Sequence, residues 1–102
     1  MLEHLTATSF APAVGDTFSL DAGEAGPIEL ELVAVRLHDP DAPAEDVPGS
    51  RAPFTLEFRG PLEPVLPQRI YGLEHPSFGT LEIFIVPVGR DEAGTAYEAV
   101  FA

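Results

Sequence analysis

Residues 66–89 read LPQRIYGLEHPSFGTLEIFIVPVG. Two apolar-rich runs, Ile70–Glu74 and Thr80–Val88, flank the short polar stretch HPSFG. His75 and Ser77 stand close enough to suggest a nucleophile and its base. Such a pair needs the ring within hydrogen-bond reach of the hydroxyl and a third group to orient it. Here only Pro76 separates them, and the G-x-S-x-G elbow that exposes a strained serine is absent. Pro76 presets φ for a turn, Ser77 can bond the turn backbone, and Gly79 can take positive φ. The stretch therefore reads as two antiparallel strands joined by a bend.

Working outward, the same pattern repeats. FTLEFR, residues 54–59, alternates Phe54, Leu56 and Phe58 with Thr55, Glu57 and Arg59, the period of a half-buried strand. IELELVAVRL, residues 28–37, places Ile28, Leu30 and Leu32 opposite Glu29 and Glu31, then turns apolar on both faces from Val33. A bulge there, or cover on both sides, accounts for the change. Thr17–Leu20 alternates briefly around Phe18 and Leu20. GRDEAG, residues 89–94, has the acidic pair and closing glycine of a hairpin leading into Thr95–Phe101. TATSFAPAV, residues 6–14, suits one helical turn capped by Thr6 or Thr8, with Phe10 inward and Pro12 limiting its length.

Eleven prolines and nine glycines in 102 residues leave no room for long helices. The expected fold is all-β: a small antiparallel β-barrel or two-layer sandwich of about six strands, with a short N-terminal helical turn. The chain is one domain, residues 1–102. Residues 38–53, HDPDAPAEDVPGSRAP, carry four acids and four prolines and read as a mobile acidic loop. Phe54, Phe58, Tyr71, Phe84, Tyr97 and Phe101 are expected to form an aromatic-rich core.

Composition narrows the function classes. Seventeen Asp and Glu against five arginines give a net charge of −12. A field of that sign repels phosphate backbones and anionic membranes, so neither nucleic acid nor membrane is an expected partner. No cysteine is present, which excludes disulfides and thiolate chemistry. His4, His38 and His75 lie in separate segments without the paired spacing of zinc ligands. The run Asp39, Asp41, Glu45 and Asp46 lacks the EF-hand glycine. No metal and no cofactor is expected. MLEHLTATSF has neither the basic start nor the apolar run of a signal peptide, and a cytoplasmic location is expected.

Glu29, Glu31, Glu57 and Arg59 fall on the solvent side of their strands, where cross-strand pairing with Arg36, Arg59 or Arg69 is the expected use. Gln68 opens a strand beside Tyr71 after a proline-rich stretch, residues 60–68, and is expected to tie that stretch to the sheet. Gln68, Arg69, Tyr71 and Arg59 are the candidate loop-anchoring or interaction residues. No catalytic residue is expected.

PFTLEFRGP, LPQRIYGLEHPSFGTLEIFIVPVG and TAYEAVFA together resemble a domain of unknown function found in small bacterial proteins near this length. The opening SFAPAVGDTFSL is similar to the start of that family, and the loop 38–50 is where this chain departs from it. The resemblance implies a neighbourhood of phage-tail-like genes and an accessory or assembly role, and brings no catalytic residues. The leading expectation is a non-enzymatic protein-interaction or assembly protein whose partner is another protein or a further copy of itself. The alternative is a small-ligand-binding β-barrel with Tyr71, Tyr97 and Arg69 at its mouth.

Overall fold

The alternation of large apolar and polar side chains is satisfied by closing one sheet on itself. In the computed structural model, which describes residues 5–23, 26–38 and 53–101, six antiparallel strands close a barrel in the order β1-β2-β3-β6-β5-β4. They are β1 (Thr17–Asp21), β2 (Pro27–Leu37), β3 (Phe54–Gly60), β4 (Arg69–His75), β5 (Gly79–Asp91) and β6 (Gly94–Phe101). The open choice between barrel and sandwich is thus decided for the barrel. Residues 39–52, which hold the acidic run and most of the expected mobile loop, lie outside the described residues, as does His4.

Two irregularities let so few strands close. In β2 the register with β3 shifts between Leu32 and Ala34, so Val33 is the extra residue of a bulge. Ile28, Leu30 and Leu32 face inward before it; after it Arg36 faces out while Val35 packs against the core. In β5, residues up to Ile85 pair with β4 and residues from Val86 onward pair with β6. The second shift falls between Pro87 and Gly89, where a proline without an N–H is tolerated. The ring closes between β1 and β4 through one residue pair, Ser19 and Glu74.

The interior is filled from both ends. Phe54 and Phe101 stack with centroids 4.8 Å apart, and Phe10 lies 6.0 and 5.6 Å from them. Phe10 arrives on a single helical turn, α1 (Ala7–Phe10), that plugs this end. Thr6 caps it, accepting from the Ser9 N–H, while the Ser9 hydroxyl accepts from the Thr6 N–H. A 3-10 turn over Ala11–Ala13 carries Pro12 and hands the chain to β1. The core aromatics are Phe10, Phe18, Phe54, Phe58, Tyr71, Tyr97 and Phe101. Phe84 is a correction: it is 48% exposed, because the inward phase of β5 falls on Leu81, Ile83 and Ile85.

At the opposite end the backbones come close. A Cβ on Gly94 would sit 2.2 Å from the Gly60 carbonyl oxygen, so this crossing requires glycine. Among the described residues no helix is long and apolar enough to cross a membrane.

Candidate functional site

His75 ends β4 with its side chain buried. Its Nε2–H donates to Asp16 Oδ2 at 2.9 Å, and its Nδ1 accepts the Ser77 backbone N–H at 3.0 Å. This wiring assigns the proton to Nε2. Both ring nitrogens are occupied, so neither lone pair is aimed at a hydroxyl. The Phe78 N–H also bonds the His75 carbonyl, and Gly79 has φ 71°. HPSFG is a turn, and His75 is the clamp that ties it to the entry of β1. A cleft of about 250 Å³ beside it is lined in part by Ser9, Asp16 and Ser77. The Ser9 hydroxyl there is already engaged in the helix cap.

The arginines divide into two environments. Arg36 bridges Glu57 and Glu98 across the outer face of β2, β3 and β6. Arg59, opposite Glu31 on β2, reaches Asp91 at 3.7 Å. These are exposed pairs, each contributing about 0–1 kcal/mol. Arg69 instead lies at the mouth of the barrel, its guanidinium carbon 5.3 Å from the centre of the Tyr71 ring. Burial holds the Tyr71 phenol above its ordinary pKa, with the nearby Arg69 pulling the other way.

Residues 61–68 close this mouth, and tyrosines rather than an amide anchor them. The Tyr71 hydroxyl donates to the Pro67 carbonyl at 2.7 Å. The Tyr97 hydroxyl accepts the Leu66 N–H at 2.9 Å in a fully buried bond. Thr95 Oγ1 reaches the Leu62 carbonyl at 3.4 Å. Gln68 is exposed. Of the four candidates, Arg69 and Tyr71 are brought together, Arg59 sits on a different wall, and Gln68 faces solvent. The signal for Tyr97 was available in its inward strand position, since a buried phenol needs a polar partner. A cleft of about 330 Å³ opens here, lined by Pro64, Val65, Leu66, Pro67, Arg69 and Tyr71 with Ala22 and Gly23.

Among the described residues no three His, Asp or Glu side chains converge as metal ligands. The outer wall of β4 and β5 carries a different feature. Ile70 and Phe84 are directly opposed in the ladder, both pointing outward, and are 64% and 48% exposed. The sequence held their signal: Glu74 and Glu82 mark the outward phase of these strands, and counting back or forward in twos reaches Ile70 and Phe84.

No curated protein and no solved structure matches the chain. A family described as a domain of unknown function, DUF6916, matches residues 5–101, which takes in all six strands and the helical turn that plugs the barrel. The chain belongs to that family.

Proposed function

We propose that this domain is a non-enzymatic protein-interaction module whose docking surface is the outer wall of β4 and β5. The observation that carries the reading is the opposed pair Ile70 and Phe84. An exposed cross-strand pair of large apolar residues gains nothing from the core of its own domain. It gains by being covered, at about 25 cal/mol per Å² of apolar surface. The interior, by contrast, is filled with phenylalanine and leucine, and the buried His75 is bonded on both ring nitrogens. The outward face of the barrel carries glutamates and arginines, the reverse of a membrane-spanning barrel. The reading extends to a cytoplasmic bacterial protein with an accessory or assembly role in a phage-tail-like particle, a setting drawn from the family resemblance.

The test is co-purification of the domain from its own cells. A partner is expected to be retained at fixed stoichiometry by the wild type and by Val88→Ser. It is expected to be lost with Ile70→Ser/Phe84→Ser. Val88 is 52% exposed on the far half of β5 and serves as the control. Retention by the Ile70/Phe84 variant, or a monomer with nothing bound, overturns the proposal.

The cleft at Arg69 and Tyr71 favours a second reading, a small-ligand site for a carboxylate with an apolar body. Arg69 would pair with the carboxylate as a planar fork. Chemical-shift perturbation confined to residues 64–71 on adding a short-chain fatty acid supports it. The absence of any perturbation there removes it.

A further inference from the structure

The charge around the apolar pair says what kind of partner covers it. Along β4 the outward residues after Ile70 are Gly72 and Glu74; along β5 the outward residues before Phe84 are Glu82 and Thr80. In the ladder Gly72 faces Glu82 and Glu74 faces Thr80. The row continues around the barrel, from Glu74 to Ser19 on β1 and from Ser19 to Glu29 on β2. Among the described residues the ion pairs on the outer wall take up Glu57, Glu98 and Asp91. Among the described residues Glu29, Glu74 and Glu82 have no arginine partner. The wall thus grades from an apolar step to an acidic row, with Gly72 leaving a notch between them.

Resting on the proposed docking role of this wall, we infer that the occupant is an extended basic segment of another protein. It places an apolar side chain on Ile70 and Phe84, and lysine or arginine two and four residues further along, over Glu82 and Glu74. The spacing is that of one strand face, about 7 Å for each step of two residues. Such steps match the outward positions 70, 72 and 74 of β4. A second copy of this chain is disfavoured as occupant, because two surfaces of the same sign would meet, each on a molecule of net charge −12. A basic segment meets a complementary field, which speeds encounter and fixes orientation.

The test uses three synthetic peptides of about ten residues with serine at every second position, so that the intervening positions share one strand face: a valine–lysine peptide with valine followed by lysine two and four residues on, a serine–lysine peptide with serine in place of that valine, and a valine–glutamate peptide with glutamate in place of those lysines. Each is titrated into the labelled domain and followed by amide chemical shifts. The valine–lysine peptide is expected to shift Ile70, Gly72, Glu82 and Phe84. Its affinity is expected to fall at least about tenfold between about 50 and about 300 mM NaCl, as exposed charges are screened. Glu74→Gln/Glu82→Gln is expected to weaken it at least about tenfold, and Phe84→Ser likewise. The charge-matched control Glu63→Gln/Glu92→Gln is expected to leave it unchanged. Equal binding by the serine–lysine or valine–glutamate peptide overturns the inference, as does equal weakening by the control pair. Self-association abolished by Phe84→Ser also overturns it, since the occupant would then be a second copy. A cellular complex that is lost on Ile70→Ser/Phe84→Ser but unmoved by Glu74→Gln/Glu82→Gln sinks this inference alone and leaves the docking role standing.

Discussion

Replacing Tyr97 by phenylalanine removes one oxygen and leaves the ring in place. Tyr97 is 1% exposed and Leu66 2% exposed, and the bond between the phenol oxygen and the Leu66 N–H is 2.9 Å. In the variant that N–H is left buried without a partner. The cost is its desolvation, about 1–3 kcal/mol, larger than the roughly 1 kcal/mol a satisfied bond contributes on balance. A domain of this size loses about 4–8 °C of Tm per kcal/mol, so a fall of at least about 4 °C is expected. Tyr71→Phe is the internal comparison. It removes a donor to the partly buried Pro67 carbonyl, which water can replace more easily, so a smaller loss is expected. Urea unfolding should show a lower midpoint with unchanged slope, because the compactness of the two end states is unaltered. Hydrogen exchange adds a local readout. The Leu66 amide should exchange faster in Tyr97→Phe by more than the global loss of stability explains, since residues 61–68 can lift away from the barrel without unfolding it. A Tyr97→Phe protein within about 0.5 kcal/mol of wild type, with the Leu66 amide still protected, would refute the claim that this bond holds the loop to the mouth.

Two further outcomes follow from the same geometry. Gly94→Ala puts a methyl against the Gly60 carbonyl oxygen at a φ of 143° and should cost about 3 kcal/mol or more, whereas Gly79→Ala, at φ 71° in open space, should cost about 1–2 kcal/mol; thermal melts of the two variants that fail to separate would refute the close-approach argument. Burial raises the Tyr71 pKa in the folded state, so its contribution to stability is fully present below about pH 10 and is lost as pH rises through the raised value; urea midpoints measured up to about pH 11 should fall more steeply for wild type than for Tyr71→Phe.

Much of the barrel was legible because one strand period is a local property. FTLEFR shows its inward face within six residues, and β3 carries Phe54, Leu56 and Phe58 inside as expected, whereas Thr55, expected on the solvent side, is 1% exposed. The ambiguity at Val33 was real in the chain and resolved into a bulge. The turn at HPSFG was readable because proline and glycine act on their own backbone. Phe84 was misplaced for a definite reason: IFIVPV is apolar on every residue, so its own composition sets no phase, and only Glu82 before it does. The site was less legible. Arg69 and Tyr71 are two residues apart on one strand and lie side by side, but the anchoring hydrogen bond comes from Tyr97, 31 positions from Leu66.

The chain by itself determined that it would be all-β, which segments form its strands, and which side chains most of them turn inward, because alternation and turn chemistry act over a few residues. Tertiary structure alone decided that the sheet closes, that β5 changes partners at Ile85 and Val86, and that Gly60 meets Gly94. It also decided that Ile70 stands opposite Phe84 above an unpaired acidic row. Each of these is set by the stagger between strands remote in sequence, and stagger is a sum over all the pairings of the barrel that no single segment encodes.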